Sequence, residues 1–473
     1  MDKLNLNDTI VAISTPIGEA GIGIVRLSGK NSLKIADKIF RPACKNNKSL
    51  KPSRFKSNTI HYGWIVDSLQ KRNKKRRIID EVLLTVMRAP STYTREDIVE
   101  INCHSGIIPL KKILDLTLAL GVRLAEPGEF TRRAFINGRI DLAQAESVIE
   151  IIRTKSENYY NACLDRLGGG FSREITNLSD KLLDFIAECE AQLDFPEEDT
   201  KKPLRELLYQ IEQIKNSLSQ CLKSTRQAKI MRDGISVAIA GRPNVGKSSL
   251  LNALINEDRS LVTPFAGTTR DTIEEQVCFD SVPLRLIDTA GLREAKHPIE
   301  REATRRSQNL IENAQLILLV FDASQPNNKE DNKFIDRFKR EKNVVAVLNK
   351  TDLKLKIDQR IIKRSFGRYI KISALKRTGL DELKEAIVKH IWQGRLGQGN
   401  CQVILNVRQE KLIENALLKL TEAASSLKSW ATLEIVVEDL KVALFSLNKI
   451  SGRTCDIEEE LLDSIFSQFC IGK

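Results

Sequence analysis

Apolar and polar residues alternate in five short runs of the first 140 residues, and this two-residue period predicts β-strands. The predicted strands are 9–14, 22–27, 59–66, 81–87 and 98–103. Two stretches with a 3.6-residue apolar period, 32–40 and 107–120, predict helices. Strands and helices that do not alternate regularly are typical of an α+β fold, so we predict an α+β domain over residues 1–140.

Strand patterns disappear from residue 141 to 232, where apolar residues recur at helical spacing, as at Leu178 and Leu182. The only interruption that the pattern predicts is Leu193-Asp-Phe-Pro196, because proline ends a helix. Residues 393–473 again have a helical pattern. The simplest arrangement is one helical-bundle domain with the intervening residues inserted in it, and two separate bundles are the alternative.

Short apolar runs alternate with helical patterns over residues 233–392. The strand-like runs begin at Val237, Leu284, Leu316 and Val344. This alternation is typical of a parallel sheet wound on both faces, so we predict a doubly wound α/β domain here. The whole chain is then a multi-domain α/β protein.

Composition narrows the class of protein. A length of 473 residues suits about three domains, and 75 Lys+Arg against 62 Asp+Glu give a net charge of +13, which favours anionic partners such as nucleic acid. The nine cysteines are odd in number and never spaced as C-x-x-C, which favours a reducing cytoplasm and argues against structural zinc. No apolar run approaches the roughly 20 residues of a membrane span, so no membrane partner is expected.

A complete phosphate loop stands between a strand pattern and a helix pattern. It reads Gly241-Arg-Pro-Asn-Val-Gly-Lys-Ser248 and follows the G-x-x-x-x-G-K-[ST] rule. The glycines let successive amides face the phosphates, Lys247 reaches the outer phosphates, and the Ser248 hydroxyl is placed for Mg2+. The chain is therefore predicted to bind a nucleoside triphosphate.

Three further motifs follow in the order of a GTPase. Asp288-Thr-Ala-Gly291 supplies a carboxylate for Mg2+ and a glycine for the terminal phosphate, and Thr269 is the second expected Mg2+ hydroxyl. In Asn349-Lys-Thr-Asp352 the carboxylate can accept hydrogen bonds from the ring N–H and exocyclic amine of guanine, which adenine lacks. Ser373-Ala-Leu375 is expected to complete the base pocket through backbone amides.

One position departs from Ras-like enzymes. Leu292 follows Gly291 where those enzymes carry the glutamine that orients the attacking water. Leucine cannot orient a water, so either hydrolysis is slow or another group supplies this function.

The motifs together resemble the MnmE (TrmE) family of tRNA-modification GTPases from residue 8 to residue 473. The segments that carry this resemblance are Asp8-Thr-Ile-Val-Ala12, Pro127-Gly-Glu-Phe130, Arg133-Ala-Phe-Ile-Asn137, Asp141-Leu-Ala-Gln-Ala-Glu146, Leu193-Asp-Phe-Pro196 and Cys470-Ile-Gly-Lys473. The resemblance implies that residues 1–140 bind a tetrahydrofolate one-carbon derivative and form a homodimer.

The resemblance also implies a potassium ion beside the phosphates, face-to-face pairing of two GTPase domains, and a glutamate, Glu300, that orients the water. The implied K+ ligands are Asn244, Thr263, Phe265 and Thr268. The predicted GTP-binding residues are Asn244, Val245, Gly246, Lys247, Ser248, Ser249, Thr263, Pro264, Phe265, Ala266, Gly267, Thr268, Thr269, Asp288, Thr289, Ala290, Gly291, Asn349, Lys350, Thr351, Asp352, Ser373, Ala374 and Leu375. We predict Glu300, Lys247 and Cys470 as catalytic residues.

The implied folate-binding residues are Arg26, Glu100, Arg139 and Lys473. A carboxylate suits the donor edge of a pterin, and cations suit the carboxylates of folate. Two departures from the family pattern bear on this site: Arg95 replaces a common glycine, and Cys103-His-Ser-Gly106 replaces a more glycine-rich stretch.

Two interpretations of Cys470 stay open, a catalytic thiol and an inert half-buried one. Before it, Asp456 can cap a helix with Glu459 as its capping-box partner. The apolar residues that follow on one helical face are Leu461, Leu462, Ile465, Phe466 and Phe469. This face predicts a packed C-terminal tail.

We expect a cytoplasmic GTPase that binds tRNA and forms a heterotetramer with the FAD-containing partner MnmG. The pair would add an aminomethyl or carboxymethylaminomethyl group to C5 of the wobble uridine, with GTP hydrolysis driving conformational change. A ribosome-assembly GTPase without modification chemistry is the main alternative, and a GTP-binding scaffold with negligible turnover is another.

Overall fold

A computed structural model describes most of the chain. The described residues are 8–43, 51–69, 77–154, 157–194, 203–233, 235–257, 274–279, 282–288, 314–341, 343–392, 405–429, 432–453 and 459–473. Contacts divide the chain into two compact units, one of Met1–Ile152, Leu164–Ile214 and Leu412–Lys473 and one of Arg153–Cys163 and Lys215–Lys411. The second unit extends beyond residues 233–392 on both sides, and the domain boundaries at 140, 232 and 392 stay predictions.

Seven strands form one sheet in the first unit. They are β1 (Ile10–Ile13), β2 (Ala20–Ser28), β3 (Phe40–Pro42), β4 (Thr59–Val66), β5 (Ile78–Met87), β6 (Ile98–Ser105) and β7 (Arg123–Leu124). The order is β3-β4-β5-β6-β2-β1-β7, and all neighbours are antiparallel except β1 and β7. The five predicted strands are confirmed, and β3 and β7 are additional.

Helices α1 (Ser32–Ile39) and α2 (Ile107–Ala119) cover one face of this sheet and confirm the two predicted helices. Val25 and Leu27 of β2 are buried in the core between sheet and helices. Because successive side chains of a strand point to opposite faces, Arg26 lies on the other face. A 3₁₀ turn spans Pro52–Arg54, and α3 (Glu129–Ile136) follows β7.

Four helices follow in the predicted helical region. They are α4 (Leu142–Arg153), α5 (Glu157–Leu167), α6 (Gly170–Asp194) and α7 (Leu204–Asp233). The prediction of a single interruption after Leu193 is wrong, since helices also end at Arg153 and Leu167. At the second of these breaks Gly169 has a φ of +83°, a left-handed conformation that closes a helix.

Six strands form the sheet of the second unit. They are β8 (Ile235–Ala240), β9 (Glu274–Phe279), β10 (Val282–Asp288), β11 (Leu316–Asp322), β12 (Val344–Asn349) and β13 (Tyr369–Lys371). The order is β13-β12-β11-β8-β10-β9, parallel except for β9. The carboxyl ends of β8, β10, β11 and β12 therefore meet at one edge.

Helices cover both faces of this sheet, which confirms the doubly wound prediction. α8 (Lys247–Glu257) and α11 (Leu380–Trp392) pack on the face of Val237, whereas α9 (Lys329–Phe338) and α10 (Gln359–Phe366) pack on the face of Ala238. Neighbouring residues of β8 serve opposite cores because side chains alternate along a strand.

Three helices end the chain, α12 (Val407–Lys428), α13 (Leu433–Ser451) and α14 (Glu459–Phe466). α13 packs against α6 within the first unit. Ile465, Phe466 and Phe469 are buried against α3 and α4, and Leu461 and Leu462 are partly buried there. The predicted apolar face is thus confirmed, while Asp456 lies outside the described residues.

Candidate functional site

The phosphate loop runs from the end of β8 to the start of α8, and its two glycines are required by geometry. Gly241 and Gly246 have φ values of +149° and +95°. A Cβ atom at Gly241 would stand 2.4 Å from the Val320 carbonyl oxygen, and one at Gly246 would stand 2.3 Å from Asn349 Nδ2. The loop is thus held tightly against β11 and β12, where only glycine fits.

Lys247 and Ser248 open helix α8, whose N-terminus favours anions. Lys247 is 7% exposed, and its Nζ donates hydrogen bonds of 2.8 Å to the carbonyls of Gly241 and Arg242. Ser248 and Ser249 are exposed at the mouth of the loop. An ammonium and a hydroxyl therefore stand where the outer phosphates and Mg2+ are predicted.

Asn349 joins three loops of the predicted nucleotide site. Its Nδ2 donates to the Val245 carbonyl at 2.9 Å, and its Oδ1 accepts from the Ala374 amide at 3.0 Å. Asn349 is 2% exposed, and Thr351 Oγ1 donates to the Ile372 carbonyl at 2.9 Å. The structure thus brings the phosphate loop, the guanine motif and Ser373-Ala374 together.

Asp352 is held in place by its neighbour in this site. Ser373 Oγ donates to Asp352 Oδ1 at 2.6 Å, and this bond holds the pKa of the carboxyl below its usual range. An ionised carboxylate is the acceptor that the donor edge of guanine requires. Leu375 follows with its side chain 84% exposed.

The remaining predicted nucleotide-site residues can be placed only in part. Asp288 is the last residue of β10 and is paired in register with Ile239 of β8, so it ends at the same sheet edge as the phosphate loop. The predicted residues outside the described ranges are Thr263, Pro264, Phe265, Ala266, Gly267, Thr268, Thr269, Thr289, Ala290, Gly291 and Glu300.

Asp322, the last residue of β11, belongs to this site and was missed by sequence reasoning. It is 7% exposed and accepts hydrogen bonds of 2.7 Å from Lys350 Nζ and Ser324 Oγ. Burial alone would raise the pKa of Asp322, but these hydrogen bonds outweigh it and keep the pKa below its usual range. An apolar strand that ends in aspartate, as in Leu316–Asp322, is the signal that could have found it.

A second group of polar residues lies on the sheet face opposite α1 and α2 in the first unit. Arg26 and Glu100 are register partners on β2 and β6, and Arg26 Nε and Nη2 each approach Glu100 Oε1 at 2.7 Å. The Arg26 guanidinium also lies 5.6 Å from the Phe130 ring centroid. Each side chain of the ion pair is 20% exposed, so a ligand can reach it.

The C-terminal tail ends beside this ion pair. Arg26 Nη1 donates to the Gly472 carbonyl at 3.2 Å, and Ile471 forms a β-bridge with Pro127. Gly472 has a φ of +97°, and a Cβ atom there would stand 2.5 Å from the Ile13 carbonyl oxygen. Cys470 is exposed, which does not fit the half-buried interpretation, and Lys473 is partly exposed.

Arg139 is connected to this group through aromatic rings. It is exposed, and its guanidinium lies 4.7 Å from the Tyr93 ring centroid. Tyr93 packs against the apolar cluster that contains Phe130. Arg139 also lines a cleft of about 510 Å³ with Arg453. Arg26, Glu100 and Gly472, which precedes Lys473, thus lie together, and Arg139 is connected to them through the Tyr93 and Phe130 rings.

The chain matches the family described as "GTP-binding protein TrmE N-terminus" over residues 9–139 and that described as "MnmE helical domain" over residues 142–470. It is 42% identical over 473 residues to the tRNA modification GTPase MnmE of Alkaliphilus oremlandii, covering 99% of this chain and 100% of that one. It is 44% identical over 471 residues to the protein of the same name from Geobacillus kaustophilus, covering 98% and 99%.

Solved GTPase structures are similar to part of the chain. Era from Aquifex aeolicus bound to GDP.AlF4⁻ is 29% identical with a TM-score of 0.27, covering 39% of this chain and 67% of that one. The G domain of the FeoB iron transporter of T. maritima is 29% identical with a TM-score of 0.27, covering 33% and 98%.

None of the helices within the described ranges combines the length and apolarity that a membrane crossing needs.

Proposed function

The chain belongs to the MnmE family of tRNA modification GTPases, and on that premise we propose that it hydrolyses GTP during modification of the tRNA wobble uridine. The product would be an aminomethyl or carboxymethylaminomethyl group at C5, made together with the FAD-containing partner MnmG. The observation that supports this proposal is that one chain has Asn349 hydrogen-bonded to the phosphate loop and to Ala374, and a C-terminal tail hydrogen-bonded to Arg26.

In the proposed hydrolysis a water oxygen attacks the γ-phosphorus and the bond to the β–γ bridging oxygen breaks, which yields GDP and phosphate. Lys247 would bind the outer phosphates, and the Asp352 carboxylate would accept hydrogen bonds from the N–H groups of guanine. Ser248 and Thr269 would hold Mg2+, which neutralises phosphate charge when bound. Ser248 is an exposed residue at the start of α8, which suits this role. Glu300 would orient the water that Leu292 cannot orient.

Asn244 is the proposed centre of a potassium site beside the phosphates. It is exposed at the tip of the loop with a φ of +64°, and asparagine is one of the few residues that tolerate this conformation. Its amide oxygen suits a hard cation, and Thr263, Phe265 and Thr268 would supply further oxygens. A K+ ion held there would supply positive charge where negative charge develops in the transition state. Two GTPase domains would pair across this loop.

The Arg26–Glu100 pair, Arg139 and Lys473 would hold a tetrahydrofolate derivative. Glu100 can accept from the donor edge of a pterin, and the cationic side chains can bind the carboxylates of the folate tail. The Phe130 and Tyr93 rings beside the two arginines offer apolar surface for a flat heterocycle. A bound folate would supply the one-carbon unit, and Cys470, which is exposed, would take part in that chemistry.

We also propose a homodimer formed by the first unit. Ile60, Tyr62 and Leu83 stand on the sheet face opposite α1 and α2 and are 64%, 50% and 42% exposed. An apolar strand face of this kind is typical of a protein interface. This homodimer would form a heterotetramer with MnmG in the cytoplasm. The heterotetramer would bind tRNA, and the net charge of +13 of this chain is complementary to the negative charge of tRNA.

A ribosome-assembly switch would need only the nucleotide site, and the docked tail favours modification over it. The deciding experiment is mass spectrometry of tRNA nucleosides from cells that lack the protein, complemented with the intact gene or with Asp352→Asn. We expect the wobble-uridine modification to vanish without the gene and to return only with the intact gene. Unchanged modification in the cells that lack the protein would refute the proposed function.

A further inference from the structure

Asp322 is a buried carboxylate to which the proposed mechanism gives no role. It ends β11 directly beside Asn349, its register partner at the end of β12. The Ala323 amide donates to the Asn349 carbonyl at 2.9 Å, and the Lys356 amide donates to the Ala323 carbonyl at 2.8 Å. The backbone directly after Asp322 is therefore fixed by both hydrogen bonds of Ala323.

Hydrogen bonds connect Asp322 to the phosphate loop through Lys350. Asp322 Oδ2 accepts from Lys350 Nζ at 2.7 Å, and the same Nζ donates to the Asn244 carbonyl at 2.7 Å. Asn244 and Lys350 both have a φ of +64°, a conformation that non-glycine residues rarely adopt. The Lys350 ammonium thus links Lys350 and Asn244, both of which have left-handed backbone conformations. The Asp322 carboxylate sets the orientation of this ammonium.

Charge gives the carboxylate a second effect. The Lys350 ammonium contacts the backbone of Asn244, so its positive charge lies close to any cation that the Asn244 side chain binds. Opposite charges at hydrogen-bond distance cancel most of their field at a third site, so Asp322 reduces the repulsion between Lys350 and such a cation. Ser324 Oγ and the Ser324 amide both donate to Asp322 Oδ1, at 2.7 and 2.9 Å, and keep the carboxylate oriented.

We propose that Asp322 is a positioning residue that sets the affinity of the GTPase for its monovalent cation through Lys350 and the backbone of Asn244. This inference rests on the proposed potassium dependence and extends it to a residue outside the phosphate loop. It differs from a purely structural role, because such a role would change stability or nucleotide affinity without changing the half-saturating cation concentration.

The test measures GTP hydrolysis by the full-length protein as a function of K+, with choline keeping the ionic strength constant. Asp322→Asn keeps the shape of the side chain and removes its charge. Asp336→Asn is the matched control, since that carboxylate is 70% exposed on α9 and pairs only with Lys339 in the described contacts. We expect Asp322→Asn to raise the half-saturating K+ concentration about tenfold, the size expected for one charge-assisted hydrogen bond. Asp336→Asn should leave it unchanged.

Binding of a fluorescent GDP analogue shows whether each variant is folded and keeps its nucleotide affinity. If Asp322→Asn binds no nucleotide, Ser324→Ala replaces it, because that change loosens the same carboxylate and should shift the K+ curve in the same direction. Asp322→Glu, which restores the charge, should recover part of the loss.

The outcomes separate this inference from the proposed function. Equal rates in K+ and Na+ for the unaltered protein would overturn both the potassium site and the role of Asp322. A K+-dependent protein whose Asp322→Asn and Ser324→Ala variants keep the original K+ curve would overturn the role of Asp322 alone. A weakened binding of GDP with an unchanged K+ curve would also overturn it, because Lys350 would then serve only the base.

Discussion

Replacing Gly472 with alanine tests whether the docked tail completes the predicted folate site. The residue has a φ of +97°, and its new Cβ atom would stand 2.5 Å from the Ile13 carbonyl oxygen and 2.9 Å from Ser14 Cα. A non-glycine residue in such a conformation costs about 1–3 kcal/mol, and the backbone contact prevents relaxation in place. Since 1.4 kcal/mol is about tenfold in an equilibrium constant, the middle of this range, about 2 kcal/mol, should lower the equilibrium constant for docking of the tail more than tenfold.

Undocking of the tail removes Lys473 from the predicted folate site and breaks the hydrogen bond from Arg26 to the Gly472 carbonyl. We therefore expect Gly472→Ala to weaken binding of 5-formyltetrahydrofolate about tenfold or more, as measured by isothermal titration calorimetry on the full-length protein. GTP hydrolysis should stay unchanged, because the nucleotide site lies in the other unit. Gly21→Ala is the matched control, since nothing lies within 4 Å of a Cβ atom there. Wild-type folate affinity in Gly472→Ala would refute the reasoning.

Three further predictions concern buried charge and base recognition. Arg133→Met should lower the free energy of unfolding by about 3–5 kcal/mol in urea titrations, because Arg133 is 1% exposed and its loss removes one ion-pair partner from each of Asp8, Glu96 and Glu129; a loss below about 1 kcal/mol would contradict this. Burial alone would raise the pKa values of Glu129 and Asp8, but hydrogen bonds from arginines hold both pKa values below their ordinary 4.5 and 3.8. The two ionised carboxylates therefore stabilise the fold at pH values above those ordinary pKa values, and this contribution is lost as the pH falls below them. Acid titration of stability should therefore be steeper in the unaltered protein than in Arg133→Met. Asp352→Asn should weaken GTP binding by about 100-fold or more and favour xanthosine triphosphate, whose carbonyl accepts from the new amide; nucleotide competition measures this, and unchanged preference for GTP would refute it.

Local sequence patterns predicted the sheets well because strand periodicity depends only on which residues are buried. The strands β4 and β6 begin at the predicted residues, and β11 and β12 begin at Leu316 and Val344 as expected. The break between α5 and α6 was missed because Gly169 interrupts a helix only when its backbone takes a left-handed conformation, which apolar spacing does not reveal. The short strands β3 and β7 were missed because they exist only through pairing with distant partners.

Site residues divide in the same way. Lys247, Asn349 and Asp352 stand in motifs whose spacing follows from the shape of a nucleotide, so the sequence by itself determined the ligand class. Gly472 had no such spacing rule, and its requirement for glycine comes from the Ile13 carbonyl, which is 459 residues away in the chain.

The sequence by itself determined that this chain has a phosphate loop and a guanine motif on a doubly wound sheet. Recognition of phosphate and of the base needs particular residues at short, fixed spacing. Only the tertiary structure decided that Asp322 reaches Asn244 through Lys350, and that the Gly472 carbonyl accepts a hydrogen bond from Arg26. Both arrangements join segments far apart in the chain. Contacts of this kind depend on how elements pack in space, which no local pattern of residues specifies.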